Sequence, residues 1–144
     1  MSQSHAPRYR LATVLLVCYW IALFVATHVP MPGSMHHVPH GDKLAHFAAY
    51  AGLAFLFAFA LQGKNVSLVG YACVLGVVAA YGLVDEGIQW LIPSRSASIK
   101  DWIADVAGGV AGISAHFATA LVWCNLFAER RRAAKEAEAD PPPE

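Results

Sequence analysis

The chain of 144 residues is 57% hydrophobic and only 14% charged, an imbalance that a soluble domain of this size cannot hide in a core of its own. Basic and acidic residues balance at 10 each, so there is no net positive field of the kind that holds nucleic acid. Cys18, Cys73 and Cys124 each sit inside an apolar run and form neither a disulfide framework nor a CxxC metal motif.

Residues 1–10 are polar and carry Arg8 and Arg10, whereas residues 11–29 contain no Asp, Glu, Lys or Arg. This run is longer than the apolar region of a cleaved signal peptide, about 7–15 residues. It ends in Thr27, His28, Val29 and Pro30 rather than at a small-x-small site, and so reads as an uncleaved first transmembrane helix. Residues 30–41 place His36, His37 and His40 among prolines and glycines that break helix and strand alike, which predicts a loop. Asp42 predicts the N-cap of the second helix, and residues 44–61 follow with His46 and Tyr50 as their polar members. Residues 62–65, Gln-Gly-Lys-Asn, form a turn short enough to require an antiparallel helical hairpin.

Residues 66–84 form a third uncharged run, after which the helical pattern continues through Asp85, Glu86 and Gln89 to Trp90 and stops before Pro93. Trp90 suits a membrane interface. Ser98, Ile99, Lys100 and Asp101 have the spacing of a capping box, in which a hydroxyl and a carboxylate three residues on satisfy each other's backbone donors. The fourth helix is therefore expected to start near Ile99 and to run to about Phe127, followed by a charged, then proline-rich tail over 129–144 that is frayed or disordered.

The expected architecture is all-α: a transmembrane domain over 11–128, folded as an integral membrane four-helix bundle, between a short N-terminal segment, 1–10, and the tail. Spans of about twenty residues match a hydrocarbon core of about 30 Å, and their unalternating apolar runs require helices rather than barrel strands. With four spans, Arg8, Arg10, Lys64, Arg130, Arg131, Arg132 and Lys135 share one side, against Lys43, Arg95 and Lys100 on the other. The positive-inside rule then places both termini in the cytoplasm.

That topology brings the start of helix 2, the end of helix 3 and the start of helix 4 to the outer face. Asp42 and His46, Glu86 and Gln89, and Asp101 and Asp105 are each spaced to share a helix face, with Arg95 in the connection between the last two helices. A charge at the centre of a span costs about 2.5–3.5 kcal/mol on insertion scales and somewhat less toward the interface. Glu86 and Asp105 are therefore expected to face inward and pair with Arg95, His46 or each other. Ala104, Gly108 and Gly112 form a small-xxx-small ladder that admits a neighbouring backbone, and Gly70, Gly76 and Gly82 offer a weaker one on helix 3.

Asp42, Lys43 and His46 at one helix start, Glu86 and Gln89 leading through a proline to Arg95, then Ser98, Asp101 and a glycine-rich helix start, together resemble the VanZ-like membrane proteins over about residues 40–115. Asp105 departs from the pattern, because the family usually has asparagine in its Asp-x-x-x-Asn-x-x-Gly run. The resemblance implies a bacterial envelope protein of a family linked to resistance to the glycopeptide antibiotic teicoplanin, and with four spans the expected location is the inner membrane. It implies no mechanism.

For Glu86, Arg95 and Asp101, a network that fixes helix packing and a polar pocket open to the outer side both fit. Asp101 is sufficiently explained by capping, and Gln89 reads as a supporting residue. His46 titrates nearest neutrality and, with Glu86, is the natural general acid or base. A zinc site built from the loop histidines with His46 and Glu86 lacks the usual ligand spacing, so no metal and no cofactor are expected. His28 and His116 read as isolated histidines; Tyr50, Tyr71 and Tyr81 read as anchoring or packing residues. Three functions stay open. One is binding of a lipid-linked cell-wall precursor or lipophilic glycopeptide through Asp42, Lys43, Gln89, Arg95, Ser98, Asp101 and Asp105. Another is hydrolysis or transfer on a lipid headgroup by His46 and Glu86, and the third is a structural or partner-binding module. Membrane lipids are the expected surroundings.

Overall fold

The computed structural model describes residues 6–28, 41–62, 66–92 and 97–139, and it is an all-helical bundle: α1 (Ala6–His28), α2 (Gly41–Gln62), α3 (Leu68–Gln89) and α4 (Ile99–Ala139). Each helix coincides with one of the apolar runs and is long enough to cross a membrane. Only 22%, 28%, 22% and 11% of the most apolar stretch of α1 to α4 is buried within the protein. Leu11, Phe24, Leu44, Val69, Leu83 and Leu121 are among the many large apolar side chains that point outward. In water this would be an aggregate; in lipid it is the surface the solvent requires. The chain is a multi-pass membrane protein.

α2 and α4 pack most extensively, and α1 rests on α2 and α3 without touching α4. The pairings Lys43 with Asp101, His46 with Asp105 and Tyr50's neighbour Ala51 with Gly112 advance together along both helices, so α2 and α4 run parallel. α3 runs antiparallel to them, with Glu86 near Ser98, Gly82 near Asp105 and Tyr71 near His116. This is the up-and-down order that short connections dictate. A Cβ on Gly108 would strike the carbonyl oxygen of Phe47, and one on Gly112 that of Ala51. The expected small-residue ladder on α4 is thus what lets α2 lie against it. On α3 only Gly82 plays that part: Gly70 meets its own first turn, and Gly76 meets nothing within 4 Å.

The core is a column of Leu16, Leu23, Tyr50, Leu53, Ala54, Val74 and Val78. Trp20 sits edge-on to Tyr81 with ring centroids 5.2 Å apart, and the Tyr19 hydroxyl donates to the Ala49 carbonyl at 2.8 Å, tying α1 to the bundle.

Four boundaries differ from the sequence expectation, the first being that α1 begins at Ala6 and takes in half of the 1–10 segment. α2 begins at Gly41, so Asp42 lies inside its first turn rather than capping it. α3 is capped by Ser67, whose hydroxyl accepts from the Gly70 N–H at 3.1 Å. α4 continues through 129–139 instead of fraying, because Ala, Glu, Arg and Lys are strong helix formers and the first proline comes only at 141. At 1.5 Å per residue its 41 residues extend about 60 Å, twice the hydrocarbon thickness, so the charged end stands clear of the apolar span. The loop histidines, the 63–65 turn and residues 140–144 lie outside the described residues.

Candidate functional site

One end of the bundle gathers the C-terminal ends of α1 and α3 with the N-terminal ends of α2 and α4. Because α2 and α4 are parallel, their first turns stand side by side, and the i, i+4 spacings of Asp42/His46 and Asp101/Asp105 become two facing rows. His46 Nδ1 lies 2.9 Å from Asp105 Oδ1, the imidazole 6% exposed and the carboxylate fully enclosed. One turn nearer the end, Lys43 Nζ lies 3.1 Å from Asp101 Oδ1. Asp42 is exposed at the rim. The Tyr50 ring forms the floor, nearly parallel to the His46 ring at a centroid distance of 6.3 Å and fully buried.

α3 supplies Glu86, whose Oε2 accepts the Ser98 N–H at 2.6 Å. This corrects the capping box. The Ser98 hydroxyl does accept from the first turn of α4, at the Lys100 N–H, 3.2 Å away. The reciprocal bond to the Ser98 N–H, however, comes from α3, because the Asp101 carboxylate is turned toward Lys43 on α2. A contact that sequence spacing makes local is in fact a tie between two helices. Gly82, one turn before Glu86, carries no side chain where a Cβ would come 3.0 Å from Asp105 Oδ2, and so lets α3 close on the pair.

Gln89 is buried and belongs to a second network centred on Asp85, a residue the sequence reading did not include in the site. The fully buried Asp85 accepts from Gln89 Nε2 at 3.0 Å and from the Thr27 hydroxyl at 2.8 Å. His28 Nδ1 stands 3.6 Å from the same carboxylate, so this histidine is not isolated. The signal available in sequence was position alone: Asp85 opens the polar stretch, and Thr27 and His28 close the first apolar run. His116 is not isolated either, but it is remote, pairing with the Tyr71 hydroxyl at 2.8 Å toward the other end of the bundle.

Of the residues expected to form the site, Asp42, Lys43, His46, Glu86, Gln89, Ser98, Asp101 and Asp105 all come to this end. Arg95 lies outside the described residues. One atom each of His46, Glu86 and Asp105 lie within 4.8 Å of one another, as do those of Asp42, His46 and Asp101. Glu86 Oε1 and Asp105 Oδ2 are buried without a hydrogen-bond partner among the described residues. Such atoms are costly to bury, about 1–3 kcal/mol each or more when charged. A charged cluster this enclosed can bind, position or exchange a proton with something that enters it.

No curated protein and no solved structure matches the chain. A family model described as VanZ/LLP1 matches residues 3–123, reaching beyond 40–115 on both sides and taking in α1 with its Thr27 and His28. The site, the small-residue contacts that assemble it and the helix that completes it therefore lie within one matched segment, and the chain belongs to the VanZ/LLP1 family.

Proposed function

We propose that this VanZ-like membrane protein binds an amphipathic ligand of the bacterial envelope at the polar end of its bundle, a lipid-linked cell-wall precursor or a lipophilic glycopeptide, and so bears on teicoplanin resistance. The observation that carries the reading is the convergence of His46, Glu86, Asp101 and Asp105 from three helices, all buried at one end of helices long and apolar enough to cross a membrane, a setting in which ionisable groups point to a functional site. Asp42 at the exposed rim gives the cluster an edge toward the headgroup layer, and the apolar flanks of α2 and α4 suit the ligand's chain. In this reading Arg95 and Lys43 meet the anionic part of the ligand, while Gln89, Ser98 and Asp101 hold the walls. The protein sits in the inner membrane with both termini in the cytoplasm and the site facing outward.

A second reading is favoured by the bond from Asp105 to His46. A carboxylate on one imidazole nitrogen leaves the other free to take a proton, and with Glu86 beside it the pair can serve as acid and base for hydrolysis or transfer on a lipid headgroup. Titration of a lipid-linked precursor into the protein in nanodiscs, with product analysis, separates the two. Saturable binding without turnover by the parent supports the binding protein. Turnover lost in His46→Ala supports the enzyme. No binding and no turnover refutes both and leaves a packing module.

A further inference from the structure

The described part of the site has a charge problem. Asp42, Asp85, Glu86, Asp101 and Asp105 gather at one end, and among the described residues Lys43 pairs with Asp101, His46 with Asp105, and His28 stands 3.6 Å from Asp85, so the carboxylates outnumber the basic groups. Glu86 is 7% exposed and Asp105 fully buried, and each keeps one oxygen, Oε1 and Oδ2, without a hydrogen-bond partner among the described residues. Buried carboxylates left in this state call for a proton, a cation or both. An anionic headgroup would only deepen the imbalance.

We propose that His46, Glu86 and Asp105 bind one divalent metal ion of the Zn2+ or Mn2+ class. Atoms bonded to one ion at about 2.1 Å lie no more than about 4.2 Å apart. The three ligand atoms already fall within 4.8 Å of one another, so small side-chain rotations bring them to bonding distance. One imidazole with two carboxylates and no thiolate suits a borderline cation, whereas Ca2+ takes six to eight oxygens and Mg2+ keeps most of its water. The competing group of Asp42, His46 and Asp101 is less suited, because Asp42 is exposed and Asp101 is held by Lys43. Glu86 enters the site already oriented, its second oxygen fixed by the Ser98 N–H, as outer bonds orient the ligands of metal centres.

Three protein ligands leave positions open, and the ion would turn an acidic recess into an acceptor for a phosphate-bearing headgroup. In this respect the inference rests on the ligand-binding reading and deepens it. It also revises the expectation, from the missing loop-histidine spacing, that the site holds no metal: the ligands come from three helices and have no sequence spacing to recognise.

The full chain in nanodiscs, stripped with a chelator, is dialysed against Zn2+ and, separately, Mn2+, with metal content and thermal unfolding measured. One equivalent per chain is expected, with raised thermal stability of the parent protein. Glu86→Gln and Asp105→Asn are each expected to weaken binding at least tenfold, and Glu129→Gln, at an exposed carboxylate toward the far end of α4, to leave it within about twofold. Metal-free unfolding temperatures establish that the variants are folded; if Glu86→Gln is not, Asp105→Asn decides. Absence of stoichiometric binding to the parent overturns the inference, as does equal binding by the folded variants. A parent that binds the metal yet binds lipid-linked precursor equally with and without it overturns the metal's part in ligand binding, whereas a metal-loaded parent that binds no precursor overturns the ligand reading alone.

Discussion

His46 on α2 and Asp105 on α4 face each other across the closest helix pair of the bundle, Nδ1 to Oδ1 at 2.9 Å, with both side chains buried. The contact exists because Gly108 and Gly112 let the two helices run parallel at near-backbone distance, which sets the first turn of one beside the first turn of the other.

Asp105 is expected to tolerate asparagine better than leucine. Asparagine keeps an oxygen to accept from His46, whereas leucine leaves a buried imidazole N–H unpaired at a cost of about 1–3 kcal/mol. Thermal unfolding of Asp105→Asn and Asp105→Leu in detergent should rank asparagine well above leucine; equal losses would mean the bond contributes no specific stability.

The glycines are expected to divide sharply. Gly108→Leu pushes a side chain into the Phe47 carbonyl and should cost about 3 kcal/mol or more, the upper range of overpacking, since backbone cannot rotate aside. Gly76→Ala meets nothing within 4 Å and should be neutral or stabilising by about 0.5–1 kcal/mol. Unfolding temperatures of the two variants, measured side by side, test this; comparable destabilisation would contradict the packing.

Much of this bundle is legible in the sequence, for reasons that are easy to state. Apolar runs of bilayer length leave lipid-exposed backbone no option but helix, and short connections force neighbours antiparallel, so α2 and α4 must run the same way. From that alone Asp42, His46, Glu86, Asp101 and Asp105 fall at one end. The sequence does not reveal which face α1 presents, because its apolar residues are spread all round, and so Thr27 and His28 could not be assigned to Asp85. Nor could it tell that Glu86, rather than Asp101, would take the Ser98 N–H, since two carboxylates compete for one donor and only the approach of α3 decides.

Thr27→Val keeps the shape of the side chain while removing its bond to Asp85, leaving this carboxylate with Gln89 among the described donors. A loss of about 1–3 kcal/mol is expected, and Thr27→Ser should recover most of it. Chemical unfolding of the three proteins tests the tie between α1 and α3; a neutral Thr27→Val would remove α1 from the site's support.

Orientation is checked at two exposed positions, Ala97 at the site end and Ala134 near the far end of α4. With Cys18, Cys73 and Cys124 replaced by serine, a cysteine at Ala97 should react with an impermeant thiol reagent on intact cells, and one at Ala134 only after permeabilisation. The opposite pattern would turn the site to the cytoplasm.

The most direct measurement of whether the buried cluster is functional rather than only a packing device uses Glu86→Gln. Glutamine keeps an oxygen for the Ser98 N–H, so this variant should insert and unfold like the parent while losing the carboxylate that faces His46 and Asp105. Affinity for a lipid-linked cell-wall precursor is measured in nanodiscs for both proteins. Equal unfolding temperatures and at least a tenfold weaker affinity in Glu86→Gln are the expected result. A folded Glu86→Gln that binds as tightly as the parent would contradict it.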